Sequence, residues 1–283
     1  MNTWFITGAS RGFGALITER VLAQGDAVVA TARNPKQIAD RFGDHPNLLA
    51  IALDVTDEAQ ARAAADTAIA KFGKIDVLLN NASFGLMGAV EEASAAEVEA
   101  VYRTNVFGLL NVTRAVLPHM RAARSGRILN ISSIGGYRGA AGFGVYSSTK
   151  FAVEGLSEAL HAELAPLGIH VTVVEPGYFR TDFLDATSLS VSPTIIEDYA
   201  ATAGRVRNVA TGLNHNQPGD PVRLAQVLID FADTPNSPVR LPLGSDTVAT
   251  IEARHVSDAA ILTGWRQISV STDFPVEPTT VAA

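Results

Sequence analysis

Six short apolar runs, each followed by a longer segment of helical spacing, restrict the folds open to this chain more than any other feature. The runs are Thr3–Thr7, Asp26–Ala32, Asn47–Val55, Ile75–Ala82, Gly126–Ser132 and Ile169–Pro176. They are continuous rather than alternating, the pattern of strands covered by helices on both faces. The Ala-rich stretches between them, such as 58–72 and 97–120, carry helical spacing. Repeated strand–helix units build an α/β fold around a doubly wound parallel sheet. With Val239–Gly244 as a last strand, about seven strands are expected, with helices on both faces. No linker divides the 283 residues, so 1–283 is read as a single domain.

The texture changes after Gly177. Residues 178–219 are rich in Thr, Ser, Asn, Gly and Pro and show no clear strand. A segment of this kind, just beyond the C-terminal end of a strand, is expected to be a substrate lid or loop. Pro221–Asp233 reads as a helix with proline in its first turn. Residues 246–266 read as a further helix, and the tail 268–283 as irregular.

Composition removes several classes of function. The formal net charge is −7, which disfavours nucleic acid or an anionic membrane as the main partner. No cysteine is present, so disulfides, thiolate nucleophiles and cysteine metal sites are absent. The six histidines lack metal-ligand spacing, and no metal is expected. The N-terminus has no basic segment followed by an apolar run, and no run approaches the ~18 residues that span a bilayer. A cytoplasmic protein is expected.

The turn after the first strand reads TGASRGFG, with Gly8, Gly12 and Gly14 in a GxxxGxG pattern that opens a helix. Glycines there let phosphate oxygens approach the backbone, and the helix N-terminus offers free N–H groups to a pyrophosphate. Ser10, Arg11 and Phe13 share this turn. The second strand ends ATARNP, without the carboxylate that would bind a ribose 2′-hydroxyl. Arg33 is instead placed for a 2′-phosphate, with Arg11 as a second positive charge. The pattern predicts NADP(H).

Tyr146 and Lys150 stand four residues apart in VYSSTKFAVEG, on one face of an expected helix. An ammonium about 4 Å from the phenol, at an effective dielectric near 20, favours the phenolate by about 4 kcal/mol. That would bring the phenol toward proton transfer near neutral pH. Ser133, in NISSIGG at the end of the fifth run, is expected to donate to a substrate oxygen. Asn105, in YRTNVFG, is expected to hold a water that feeds Lys150.

These motifs together resemble the short-chain dehydrogenase/reductase family, in its single-domain TGxxxGxG/YxxxK branch, over about Thr3–Asp182. The resemblance implies a Rossmann-type sheet and a catalytic tetrad of Asn105, Ser133, Tyr146 and Lys150. It implies cofactor contacts from the glycine turn, Asp54 and Val55, Asn81 and Ala82, and from Pro176, Gly177 and Thr181. Tyr146 and Lys150 would reach the cofactor as well. The texture is similar to the 17β-hydroxysteroid-dehydrogenase-like group. One departure stands out: the family's NNAG reads NNAS here, with Ser83 in place of glycine.

The expected activity is interconversion of a carbonyl and an alcohol. The substrate pocket is expected from Phe84, Leu86, Ile134, Phe143, Tyr178, Phe179 and Phe183, with no prominent cation, and so for an apolar or aromatic ketone or aldehyde. Two alternatives stand beside this: a sugar-nucleotide epimerase, disfavoured by the short segment after Gly177, and a catalytically idle NADP-binding sensor. By resemblance, a homo-dimer or homo-tetramer is expected through helices 97–120 and 146–165.

Overall fold

The computed structural model describes residues 1–235 and 237–274. The chain begins with β1 (Thr3–Thr7), α1 (Gly12–Ala23), β2 (Ala27–Ala32), α2 (Lys36–Phe42), β3 (Leu48–Ala52), α3 (Glu58–Phe72) and β4 (Val77–Asn80). It continues through β5 (Gly85–Met87), α4 (Ala95–Tyr102), α5 (Leu109–Ala123), β6 (Gly126–Ile131), α6 (Gly144–Leu164) and β7 (Ile169–Pro176). The last elements are β8 (Leu189–Val191), α7 (Arg205–Leu213), α8 (Pro221–Ala232), β9 (Arg240–Leu243) and α9 (Ser245–Val270). Seven strands form one sheet in the order β3-β2-β1-β4-β6-β7-β9, and β5 pairs with β8 apart from it.

Side chains of each central strand feed two cores in turn. Trp4 and Ile6 join Ile17 and Val21 of α1 and Leu224 and Leu228 of α8. Phe5, between them, joins Ala61 and Ala65 of α3 and Val112 and Val116 of α5. Both faces are thus covered, which is why the strands read as unbroken apolar runs. The α3 helix buries Ala61, Ala64, Ala65 and Ala68, one stripe at helical spacing. Asp57 starts it by accepting from the Ala59 and Gln60 N–H groups, and Gly73 ends it in the left-handed region.

Three expectations change. Helix 97–120 is not continuous: a π-helical turn at Arg103–Gly108 separates α4 from α5. The wider turn brings Asn105 inward, and a Cβ on Gly108 would stand 2.5 Å from Val55 Cγ2. Segment 178–219 is not strandless, since it supplies β8 and α7. A three-residue strand paired with Gly85–Met87 leaves no run long enough to read. The tail is not irregular from residue 268, because α9 runs on to Val270. Its residues 275–283 lie outside the described ones. Among the described residues, no helix is long and apolar enough to cross a membrane.

Candidate active site

The chain leaves β1 toward β2 and β3, then returns to place β4 on the other side of β1. Neighbouring connections diverge at such a reversal and open a crevice beyond the strand ends. A cleft of about 960 Å³ opens there.

Its first half is mostly backbone. Gly8 and Gly12 have φ of +65° and +53°, which a side chain would strain. A Cβ on Gly14 would stand 2.4 Å from the Gly8 carbonyl oxygen. The first residue before α1 provides no side-chain cap, and its first turn has no acidic residue, so its N–H groups are left for an anion. Thr7 Oγ1 accepts from the Asn81 and Ala82 N–H groups at 2.9 and 3.0 Å. The Asn81 amide donates back to the Thr7 and Gly8 carbonyls. Ser83 lines the cleft without a left-handed backbone, so the serine costs no strain there. This cradle, which a Cβ would fill, fits a dinucleotide.

Arg33, Asp54 and Val55 line the same half. Arg33 is exposed at the rim. Asp54 is not a helix cap: its Oδ1 accepts from the Thr56 N–H and hydroxyl, and Asp57 caps α3. Arg11 lines the cleft as well and has protein partners there. Its guanidinium pairs with Asp182 at 3.1 Å and donates to the Thr187 carbonyl at 2.6 Å, tying the glycine turn to the far wall.

In the second half, Ser133 and Tyr146 line the cleft. Ser133 Oγ accepts from the Gly135 N–H at 3.0 Å, which fixes the serine at the end of β6. Lys150 does not reach the cleft. It is 1 % exposed, one turn behind Tyr146, and its Nζ donates to the Ile131 carbonyl at 2.9 Å. Burial lowers the Lys150 ammonium to about 8, while Glu154 opposes that shift. Burial also raises the Tyr146 phenol above its ordinary value, with the Ser133 hydroxyl opposing. The expected lowering of Tyr146 by Lys150 is therefore not what this arrangement gives. The ammonium stands 5.7 Å from the ring centre and is engaged elsewhere, so desolvation wins.

Asn105 also differs from expectation. Its Oδ1 accepts from the Phe84 N–H, and its Nδ2 donates to the Phe84 carbonyl and Thr149 Oγ1. The side chain is a clamp on Phe84, just before β5. A void of about 10 Å³, the size of one water, lies between Asn105, Lys150 and Asn80.

Phe84, Ile134, Phe143, Tyr178, Phe179 and Phe183 line the cleft as expected, and so do Pro176, Gly177 and Thr181. Leu86 does not; on β5 it is buried, 2 % exposed. The rings of Phe183 and Phe143 stand 5.5 and 6.1 Å from Tyr146. Phe179 packs edge-on against Phe13 at 5.6 Å. One cation was missed, Arg138, exposed at the cleft wall.

Two supporting groups were also missed. Asn80 donates to Thr113 and to Asn130, which donates to Ser157, so a buried polar chain links α5, β4, β6 and α6 beneath the site. The asparagines that end the apolar runs VLLN and RILN were its signal. Glu92, fully buried, accepts from the Ala89 and Ile196 N–H groups and pairs with Arg207. It staples the wall that carries β8, and nothing in the local sequence marks it.

The order of the sheet, the glycine cradle and the Ser133–Tyr146–Lys150 group define a dinucleotide-dependent oxidoreductase. A family model described as short chain dehydrogenase matches residues 2–190. Oxidoreductase BOA17 of Botryotinia fuckeliana is 38 % identical over 95 % of this chain and 98 % of its own. A short-chain dehydrogenase structure from Streptomyces avermitilis superposes with a TM-score of 0.88. It is 40 % identical over 96 % of this chain and all of that one. The closed form of serine dehydrogenase complexed with NADP+ has a TM-score of 0.71 and 30 % identity, over 85 % of this chain and 94 % of that one. The chain belongs to the short-chain dehydrogenase/reductase family and is an oxidoreductase.

Proposed function

We propose that this protein uses NADP(H) to interconvert an apolar or aromatic ketone or aldehyde with its alcohol. The observation that carries the reading is that Ser133 and Tyr146 line one cleft, with Lys150 buried one turn behind Tyr146. The Gly8–Gly14 turn and the open N-terminus of α1 would hold the pyrophosphate, and Arg33 a 2′-phosphate. NADPH bound there supplies the hydride. Ser133 donates a hydrogen bond to the carbonyl oxygen, polarising it. Tyr146 then gives its proton to that oxygen as negative charge develops. Burial keeps the phenol protonated, which suits an acid acting in the reductive direction. Lys150 holds the floor of the site through the Ile131 carbonyl and contributes positive charge below about pH 8. The void beside Asn105 and Lys150 is where a relay water would sit.

The aromatic wall of Phe84, Phe143 and Phe183 supports an apolar substrate. The 178–219 segment, stapled through Glu92, is the part that would move to admit it. The test is NADPH consumption against apolar, steroid and charged carbonyls. Turnover of apolar ketones is expected. Turnover of charged carbonyls alone would overturn the substrate class.

A further inference from the structure

Behind the site lies a cluster that the proposed reaction does not use. Glu154 is on α6, one turn beyond Lys150, and Glu175 is on β7, beside Pro176 of the cleft wall. They are 3 % and 0 % exposed. Both aim at one atom: Arg240 Nη1 on β9 donates to Glu154 Oε2 at 2.5 Å and to Glu175 Oε1 at 2.6 Å. The other side of the guanidinium is taken by the exposed Glu158, at 2.9 Å. One cation therefore serves three carboxyl groups, two of them buried.

The remaining oxygens, Glu154 Oε1 and Glu175 Oε2, are buried without a hydrogen-bond partner. So is Ser132 Oγ. A Cβ on Gly136 would stand 2.4 Å from Ser132 Oγ and 2.9 Å from Glu154 Oε1, so these two atoms are close neighbours. Two buried carboxylates on a single guanidinium nitrogen repel each other, and an orphan carboxylate oxygen is costly to leave unpaired. One proton relieves both problems: it removes a charge and gives the pair a donor.

We propose that Glu154 and Glu175 hold one proton between them at neutral pH and act as a positioning pair behind the catalytic group. Glu154 acts through Lys150 and Ser132, and Glu175 through the Pro176–Gly177 wall. The positioning role rests on the functional reading above; the proton count does not. The groups facing the pair are Lys150 and Glu158 from α6, Ser132 just beyond β6 and Arg240 from β9. Tyr137 lies under the Arg240 guanidinium and meets His255 of α9. Burial, then the neighbouring Glu175, pushes Glu154 up to about 8, with Ser132 and Arg240 opposing.

The folded chain thus keeps a proton that the unfolded chain releases between the ordinary carboxylate value of 4.5 and about 8. The stability it contributes is complete below 4.5 and is lost as the pH rises through 8.

The test is infrared spectroscopy of the full chain, with no turnover involved. A protonated-carboxyl C=O band is expected at pH 7, shifting in D2O and fading near pH 8. Glu154→Gln and Glu175→Gln should each remove it. Absence of the band in the wild type at pH 7, or its persistence in both variants, would overturn the shared proton. Should the variants fail to fold, the titration of the wild-type band alone decides. The positioning role is read from the pH profile of kcat/KM. The inflection near pH 8, where Lys150 also titrates, is expected to move in Glu154→Gln, because the Glu154 charge supports the Lys150 ammonium. Identical profiles would overturn that role while leaving the proton count intact.

Discussion

Two walls face each other across the cleft. The glycine-turn wall stands on β1, β2 and β4, whose side chains alternate between two apolar cores. The opposite wall, 182–213, stands on a three-residue ladder, the Glu92–Arg207 pair and the Arg11–Asp182 pair. The first is held by two large cores, the second by polar staples and one small apolar cluster of Met87, Leu189 and Ala210. Regions with little buried apolar contact open at lower cost than core strands. The difference suits the tasks proposed for them, a cofactor cradle that keeps its shape and a substrate wall that yields.

Breaking the rigid wall should have the largest effect. Gly14→Val places side-chain atoms into the Gly8 carbonyl and Ala9. Forced overpacking of this kind costs about 3 kcal/mol. A large fall in Tm with loss of NADPH binding is expected, by thermal melts and fluorescence titration. A variant that binds NADPH normally would show that the cradle is not rigid.

Arg33→Asp comes next. A charge-assisted hydrogen bond contributes about 1.5–3 kcal/mol, so the KM for NADPH should rise roughly 10–100-fold. The KM for NADH should change little. Equal changes for both cofactors would remove Arg33 from the 2′-phosphate.

The smallest effect should come from the stapled wall. Glu92→Gln keeps the shape and weakens the hold on Arg207 and the Ile196 N–H. The substrate KM should rise severalfold with kcat and NADPH affinity nearly unchanged, and hydrogen exchange at 189–213 should quicken. An unchanged exchange pattern would mean that the two walls are equally firm. Glu92 is held below the ordinary carboxylate value, first by the Ile196 N–H. Its hold is therefore present above 4.5 and lost as the pH falls through its lowered value.

The same contrast explains what was legible in the sequence. The α3 stripe of Ala61, Ala64, Ala65 and Ala68 and the six apolar runs are periodic, because each residue answers to one large core. The Tyr146–Lys150 spacing was legible because a helix fixes it. What Lys150 does was not, since its partner is the Ile131 carbonyl, nineteen residues away in sequence. The sequence predicts that Asn105 holds a water feeding Lys150, but the π turn that swings it onto Phe84 leaves no periodic mark. Strand β8 and Glu92 depend on pairing across about 100 residues, which local pattern does not carry.

The central claim is that Tyr146 delivers the proton at the end of a cleft already shaped to hold NADPH. The most direct test measures turnover and NADPH affinity of Tyr146→Phe side by side, on a ketone that the wild type reduces. Turnover should fall roughly 10²–10⁴-fold, the usual scale of a lost general acid, with NADPH affinity near wild type. Turnover close to wild type with the phenol gone would contradict the account.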